Sequence, residues 1–294
     1  MATWGNRADY NNYVQAFGVG KPRMVSEFPK LKNWRREVLQ ALPENISDGE
    51  KMRVVELIRA MTDCMVARKE DHYDNSLPWL ENAEQTRIPF HAILARDNPR
   101  NHPDVMLANS LDTDGRWNIE RSKVVKRQAV YMSNAISNML SNCQMATFID
   151  PHFGPENQRY CRPFKAFLHA ITKNRGGPAL NHIEIMASSK ADFTFFKENC
   201  ETRLSPLIPA GFIVRFTRLK KKIDGEALHN RYILTDLGGV TFQHGLDEGK
   251  KGETDDVTLM DRSQYIKRKE QYCGKNPAFD TDGETFEVAG CASR

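Results

Sequence analysis

The chain has 294 residues, of which 40% are hydrophobic and 27% charged, with a net charge of +4. This composition belongs to a folded protein with a core of ordinary size; it excludes a disordered or fibrous chain, and the length suits one large domain or two ordinary ones. No stretch approaches the roughly 20 apolar residues that cross a bilayer, and the polar segment 1–13 lacks the apolar centre of a signal peptide, so a cytoplasmic protein without a membrane span is expected.

Residues 1 to 31 read as irregular, interrupted by Gly18, Gly20, Pro22 and Pro29. Trp34, Val38 and Leu42 mark a short helix over 32–42, ended by Pro43. Ser47 and Glu50 have the spacing of a capping box, in which each side chain satisfies the other's backbone N–H. Val54, Leu57, Ile58, Met61 and Met65 then recur at helical spacing, the stripe of a helix packed on a core. The stretch 71–114 is rich in Pro, Asn and Asp, with one apolar island at 90–94 that suits a strand. A long helix is predicted over 116–140, burying Val124, Val125, Met132, Ile136 and Met139, with Lys123, Lys126 and Arg127 on its outer side. His72, His91 and His102 stand alone, as structural or exposed histidines do. Residues 1–143 therefore read as a mainly helical region without a catalytic constellation, suited to a protein partner.

The character changes at Gln144. The apolar run Met145, Ala146, Thr147, Phe148, Ile149 ends at Asp150 and Pro151, as a buried strand ends before a turn. Phe164, Phe167, Leu168 and Ile171 mark a helix, broken at Gly176, Gly177 and Pro178. Further strands are predicted over 182–187, 211–216, 227–235 and 239–243, with helices over 191–199 and 262–272. This alternation gives residues 144–294 as an α/β domain, a mixed sheet with helices on both faces, in which ligands gather at the carboxyl ends of strands. Asp150 and His152 sit at such an end.

The six cysteines, Cys64, Cys143, Cys161, Cys200, Cys273 and Cys291, contain no C-x-x-C pair, so neither a metal site nor a disulfide framework follows from them. Basic residues cluster at 121–127, 159–165, 215–222 and 262–269; each alone reads as a solvated face.

The densest set of reactive side chains is His229, Arg231 and Asp236, followed by His244 and Asp247. On a strand over 229–235 the side chains of His229 and Arg231 share one side. An imidazole can attack phosphorus or move a proton, and a guanidinium offers a planar fork to phosphate oxygens. Each also has a structural reading: His229 as a hydrogen-bonded core residue, Arg231 as the partner of Asp236, Asp247 or Asp150. Asp247 is a candidate to orient an imidazole, and Asp236 to tie the strand end to its turn. Lys220, Lys221 and Lys222 are expected on a loop beside the site, where they could hold a polyanion, and 248–256 as a mobile loop over it.

The spacing His229-x-Arg231-x4-Asp236 resembles the His-x-Lys-x4-Asp signature of the phospholipase D superfamily, with Arg231 in the lysine position. With Ile149, Asp150, Pro151 and His152 at the first strand and Gly245, Leu246 and Asp247 downstream, residues 144–250 are similar to the degenerate branch found C-terminal to MIT domains, and to its bacterial relatives. The resemblance implies a metal-independent phosphodiesterase without cofactor, forming a phosphohistidine at His229. Because one copy of the motif is present where a site needs two, it implies a homodimer. By analogy with bacterial relatives it points to a nuclease in anti-phage defence, with DNA or RNA as partner. Arginine for lysine, and Gly-Leu-Asp where Gly-Ser-x-Asn is usual, leave a second class open: an inactive module that binds nucleic acid or another phosphate and serves as an adaptor. In either class Asp150, His152, Lys220, Lys221, Lys222 and His244 are expected to contact the ligand.

Overall fold

A computed structural model of the chain describes residues 7–63, 65–68, 72–173, 175 and 177–292. Cys64, Gly176 and the position 71 that opens the polar stretch lie outside the described residues. Two compact units meet in the chain, one ending at Arg121 and the next beginning at Ser122.

In the first unit, α1 (Arg7–Ala16) forms within the segment expected to be irregular. Its Tyr13 and Ala16 share a buried cluster with Leu57, Met61 and Trp117, so partners far along the chain supply what local periodicity lacks. There follow β1 (Val25–Glu27), α2 (Leu31–Gln40), α3 (Asp48–Thr62), β2 (Met65–Ala67), α4 (Trp79–Glu84), β3 (Ile93–Ala95) and β4 (Val105–Leu107). The capping box starts α3 where predicted: Ser47 Oγ accepts from the Glu50 N–H at 3.4 Å, and the Glu50 carboxylate accepts from the Ser47 N–H at 3.1 Å. Met65, expected to prolong that helix, opens β2 instead, which pairs in parallel with β1; β3 and β4 form a second parallel pair.

The second unit contains β5 (Ser122–Lys126), α5 (Ala129–Ala135), α6 (Ser137–Asn142), β6 (Met145–Ile149), α7 (Gln158–Thr172), β7 (His182–Ser188) and α8 (Phe193–Asn199). The chain continues through β8 (Ile213–Lys221), β9 (Tyr232–Thr235), β10 (Gly239–Phe242), β11 (Thr254–Leu259), α9 (Arg262–Cys273), β12 (Phe279–Thr281) and β13 (Phe286–Ala289). One sheet runs β12-β8-β7-β6-β9-β10-β11-β5, with β13 also on β8. β6, β7 and β8 are parallel, and the remaining pairings are antiparallel. This is the mixed α/β sheet that the strand and helix alternation predicts.

Helices cover both faces. On one, Phe164, Phe167, Leu168 and Ile171 of α7 join the main core, with the Phe167 ring 5.6 Å from Phe148 and 6.0 Å from Phe242. Each such side chain contributes about 1.5–3 kcal/mol by leaving water. On the other, Tyr265 of α9 donates its hydroxyl to the Thr235 carbonyl at 2.6 Å, and Tyr272 packs edge-on against Tyr232.

Three segments differ from the sequence reading. The helix predicted over 116–140 is replaced by β5, α5 and α6, and residues 122–143 belong to the second unit. β5 forms because β11, far downstream, pairs with it. The loop expected over 248–256 gives its end to β11 for the same reason. The strand predicted over 227–235 begins only at Tyr232: its partner β6 ends at Ile149, opposite Tyr232, before Pro151 turns the chain away.

Candidate functional site

β9 runs antiparallel to both β6 and β10, so the carboxyl ends of β6 and β10 flank the start of β9 at one edge of the sheet. Strand ends of this kind are where α/β sheets hold ligands. α7 begins at the same edge, with the Asn157 side chain accepting from the Arg159 N–H at 3.1 Å as its cap. Together they enclose a cleft of 460 Å³. Asp150 and His152 enter it from β6, Glu156, Asn157, Arg159 and Tyr160 from the start of α7, Arg231 from the start of β9, and His244 and Asp247 from the loop after β10.

Three buried carboxylates hold this edge together. Asp150, 2% exposed, accepts from the His152 N–H at 2.9 Å and from the Leu246 N–H at 2.8 Å, tying the ends of β6 and β10. Burial pushes its carboxyl above the ordinary range; the two N–H groups oppose that shift, Asp247 adds to it and Arg231 opposes it. Asp247 receives Arg127 at 3.0 Å on one oxygen and Arg159, through Nε at 2.6 Å and a second nitrogen, on the other. Asp255, on β11 and 1% exposed, accepts from the His244 N–H at 3.1 and 3.2 Å and from its Nδ1 at 3.1 Å. Gly245 lets Asp150 and Asp247 come this close. Its φ is +136°, and a Cβ there would lie 2.5 Å from Asp247 Oδ1 and 3.3 Å from Asp150 Oδ2.

The cationic side is built around Arg231. It is half-buried, and its Nε, wholly removed from solvent, makes no hydrogen bond among the described residues. Burial first, then the charges of Asp150 and Asp247, push the Tyr160 phenol up to about 12, so at neutral pH it keeps its proton and can donate it. The first N–H groups of α7 and its dipole add positive potential. The arrangement can hold an anion between Arg231, Arg159 and the helix start, with two imidazoles at hand.

Of the residues singled out in the sequence, Asp150, His152, Arg231, His244 and Asp247 come together at the cleft. His229 does not: it is exposed on the segment ahead of β9 and is not among the lining residues, because the strand that would align it with Arg231 starts three residues later. Asp247, expected to orient an imidazole, grips two arginines instead, and Asp255 orients His244. Asp236, expected to tie the strand end to its turn, instead accepts from the N–H groups of Gln144 at 2.8 Å and Met145 at 3.1 Å, at the start of β6. Lys220 and Lys221 end β8 rather than topping a loop, with β7 between them and β6. Lys220 faces Asp282 at 3.9 Å and Lys222 donates to the Pro277 carbonyl at 2.6 Å, so none of the three reaches the cleft.

Glu156, Asn157, Tyr160 and Asp255 escaped the sequence reading, and Arg127 and Arg159 entered it only as members of basic clusters. Asn157, just ahead of the helix that follows the Met145–Ile149 strand, is a cap signal that could have placed α7's start at the site. Arg127 and Asp255 carried no such signal, since both rest on the β5–β11 pairing. Among the described residues no group of three or more His, Cys, Asp or Glu side chains is arranged to hold a metal, and no helix is long and apolar enough to cross a membrane.

No protein-family model matches the chain, and no curated protein matches it. Among solved structures it is similar to a phospholipase D family member, Nuc from Salmonella typhimurium, with 12% identity, 55% of this chain and 98% of that chain covered, and a TM-score of 0.36. It is also similar to TrmBL2, an archaeal chromatin protein described as showing a novel mode of DNA binding, with 15% identity, 52% and 50% of the two chains covered, and a TM-score of 0.28. Likenesses at these scores carry no weight for the function of this chain, which rests on the residues of the cleft.

Proposed function

We propose that the second unit is a phospholipase D-like module whose cleft holds a phosphodiester of a nucleic-acid strand. Arg231 carries this reading: its Nε is buried and unpartnered, at a cleft that also holds Arg159 and the start of α7. An unsatisfied buried donor costs about 1–3 kcal/mol, more when charged. A phosphate in the cleft would be held by the Arg231 guanidinium in the forked geometry it favours.

The ligand's charge follows from the acidic lining. Asp150 and Glu156 face the same space as Arg231, so the second negative charge of a phosphate monoester is disfavoured against the single charge of a diester. In this reading the first unit supplies the contact to a protein partner. Turnover through a phosphohistidine at His229 would require a second copy of the chain to present that side chain, since its own cleft does not include it.

Binding of labelled DNA and RNA oligonucleotides across a salt series tests the reading. The logarithm of the affinity should fall linearly with the logarithm of salt. Arg231→Ala should weaken binding at least about tenfold and reduce that slope by about one. An Arg231→Ala variant that binds like the wild type would sink it.

A further inference from the structure

His229 and His244 flank the start of β9, and of the two only His244 has its ring bonded to a buried carboxylate. His244 lies in the cleft with its Nδ1 and its backbone N–H both engaged by Asp255. A carboxylate accepts only, so Nδ1 carries the proton and Nε2 presents a lone pair. Asp255 is buried on the inward side of its strand, which it shares with Val257, while Thr254 and Asp256 face the other way and are exposed. Burying a carboxylate is costly unless it is well bonded, and among the described residues Asp255 accepts from the two N–H groups of one histidine. Such a pair fixes the tautomer and the direction of an imidazole, as acid–base chemistry requires. The His229 ring, exposed like that of His244, makes no hydrogen bond among the described residues.

We infer that His244, held by the positioning residue Asp255, is the proton-transfer group of the cleft and makes it a phosphodiesterase. The inference rests on the phosphodiester-binding reading of Arg231. Arg231 holds the phosphate while a hydroxyl attacks phosphorus and gives its proton to His244 Nε2. The new oxygen–phosphorus bond forms as the bond to the departing oxygen breaks. The departing oxygen takes a proton from solvent, and the imidazolium returns its proton to solvent. No electrons change hands and no covalent enzyme intermediate forms. The attacking hydroxyl is either water or the 2′-hydroxyl of an RNA strand. The products separate these: water leaves a linear phosphate end on DNA or RNA, whereas the 2′-hydroxyl leaves a 2′,3′-cyclic phosphate and spares DNA.

Cleavage and binding of end-labelled DNA and RNA strands by wild type, His244→Gly, Asp255→Asn and His229→Ala decide the matter. The wild type and His229→Ala should cleave alike. His244→Gly should lose turnover by about 10²- to 10⁴-fold with binding kept, and free imidazole should restore part of it, which no purely structural role would allow. Asp255→Asn should lower kcat with KM little changed. Cleavage that persists in His244→Gly, that fails in His229→Ala, or that is absent in a wild type which still binds the strand overturns the assignment and leaves a binding cleft. A wild type that binds no strand overturns the underlying reading instead.

Discussion

Residues 226–231 ahead of β9 and 243–248 after β10 reach the same edge of the sheet, and each stretch carries a histidine. The second stretch is anchored at nearly every position. Asp255 holds His244, Asp150 holds the Leu246 N–H, two arginines hold Asp247, and the Glu248 N–H donates to the Arg159 carbonyl at 2.8 Å. In the first stretch the ends are tied and the histidine is not: Glu226 accepts from Arg268 at 3.4 Å and Gln271 at 3.0 Å, and the Arg231 carbonyl accepts from the Phe242 N–H at 3.1 Å. Residue types and spacing drew attention to the first stretch, but chemistry at a fixed geometry needs the second kind of construction. A histidine near a strand is a candidate; a histidine whose ring is bonded to a buried carboxylate is an instrument.

Removing the anchor of the second stretch should have the largest effect. Asp247→Ala leaves Arg127, nearly buried and already carrying one unpartnered nitrogen, without its main counter-charge. Urea unfolding should show a loss of about 3–5 kcal/mol, the cost of orphaning a buried charge. Arg159 is half exposed and can turn to water, so adding Arg127→Met to the same variant should recover much of that loss. A Asp247→Ala protein as stable as the wild type would erase the distinction between the stretches.

Asp150→Asn should cost less, about 1–3 kcal/mol, because an amide has one accepting oxygen where two N–H groups need one each. The pH dependence sharpens this. The folded-state pKa of Asp150 lies above its unfolded value, so its stabilising contribution is complete below the unfolded value and declines as pH rises through the folded one. The melting-temperature gap between wild type and Asp150→Asn should therefore be widest in acid and narrow towards neutrality. A gap that widens with rising pH would contradict the burial of that carboxyl.

The smallest effect belongs to His229→Ala. With an exposed ring that makes no hydrogen bond among the described residues, it should move stability by no more than about 0.5 kcal/mol and leave strand binding unchanged. A large loss in either measurement would show that the first stretch is anchored by something outside a single chain.

How much of this was legible beforehand depended on how local the cause was. β6 is predicted at its observed bounds, because an unbroken apolar run declares itself, and α9 to within a residue. Asp150 and Arg231 were found through strand ends and motif spacing. The Asp255 clamp, the Arg127 grip and the edge strand β5 were not, since each exists only once β5 and β11 pair. In β5 a single residue, Val125, is buried, too little for a period-two signal. The sequence Thr-Asp-Asp-Val-Thr-Leu of β11 is polar enough to read as loop.

That pairing also sets an order of events during synthesis. Ser122 and Thr258, whose hydroxyls meet at 2.8 Å across β5 and β11, are 136 residues apart. At about 5–20 residues per second, roughly 7–27 s pass between making one and the other. The strand that closes the sheet leaves the ribosome first and waits longest for its neighbour, as an unpaired segment in which Val124 is open to any other strand. Lys123 and Lys126 flank that valine and keep foreign edges away by charge until β11 arrives.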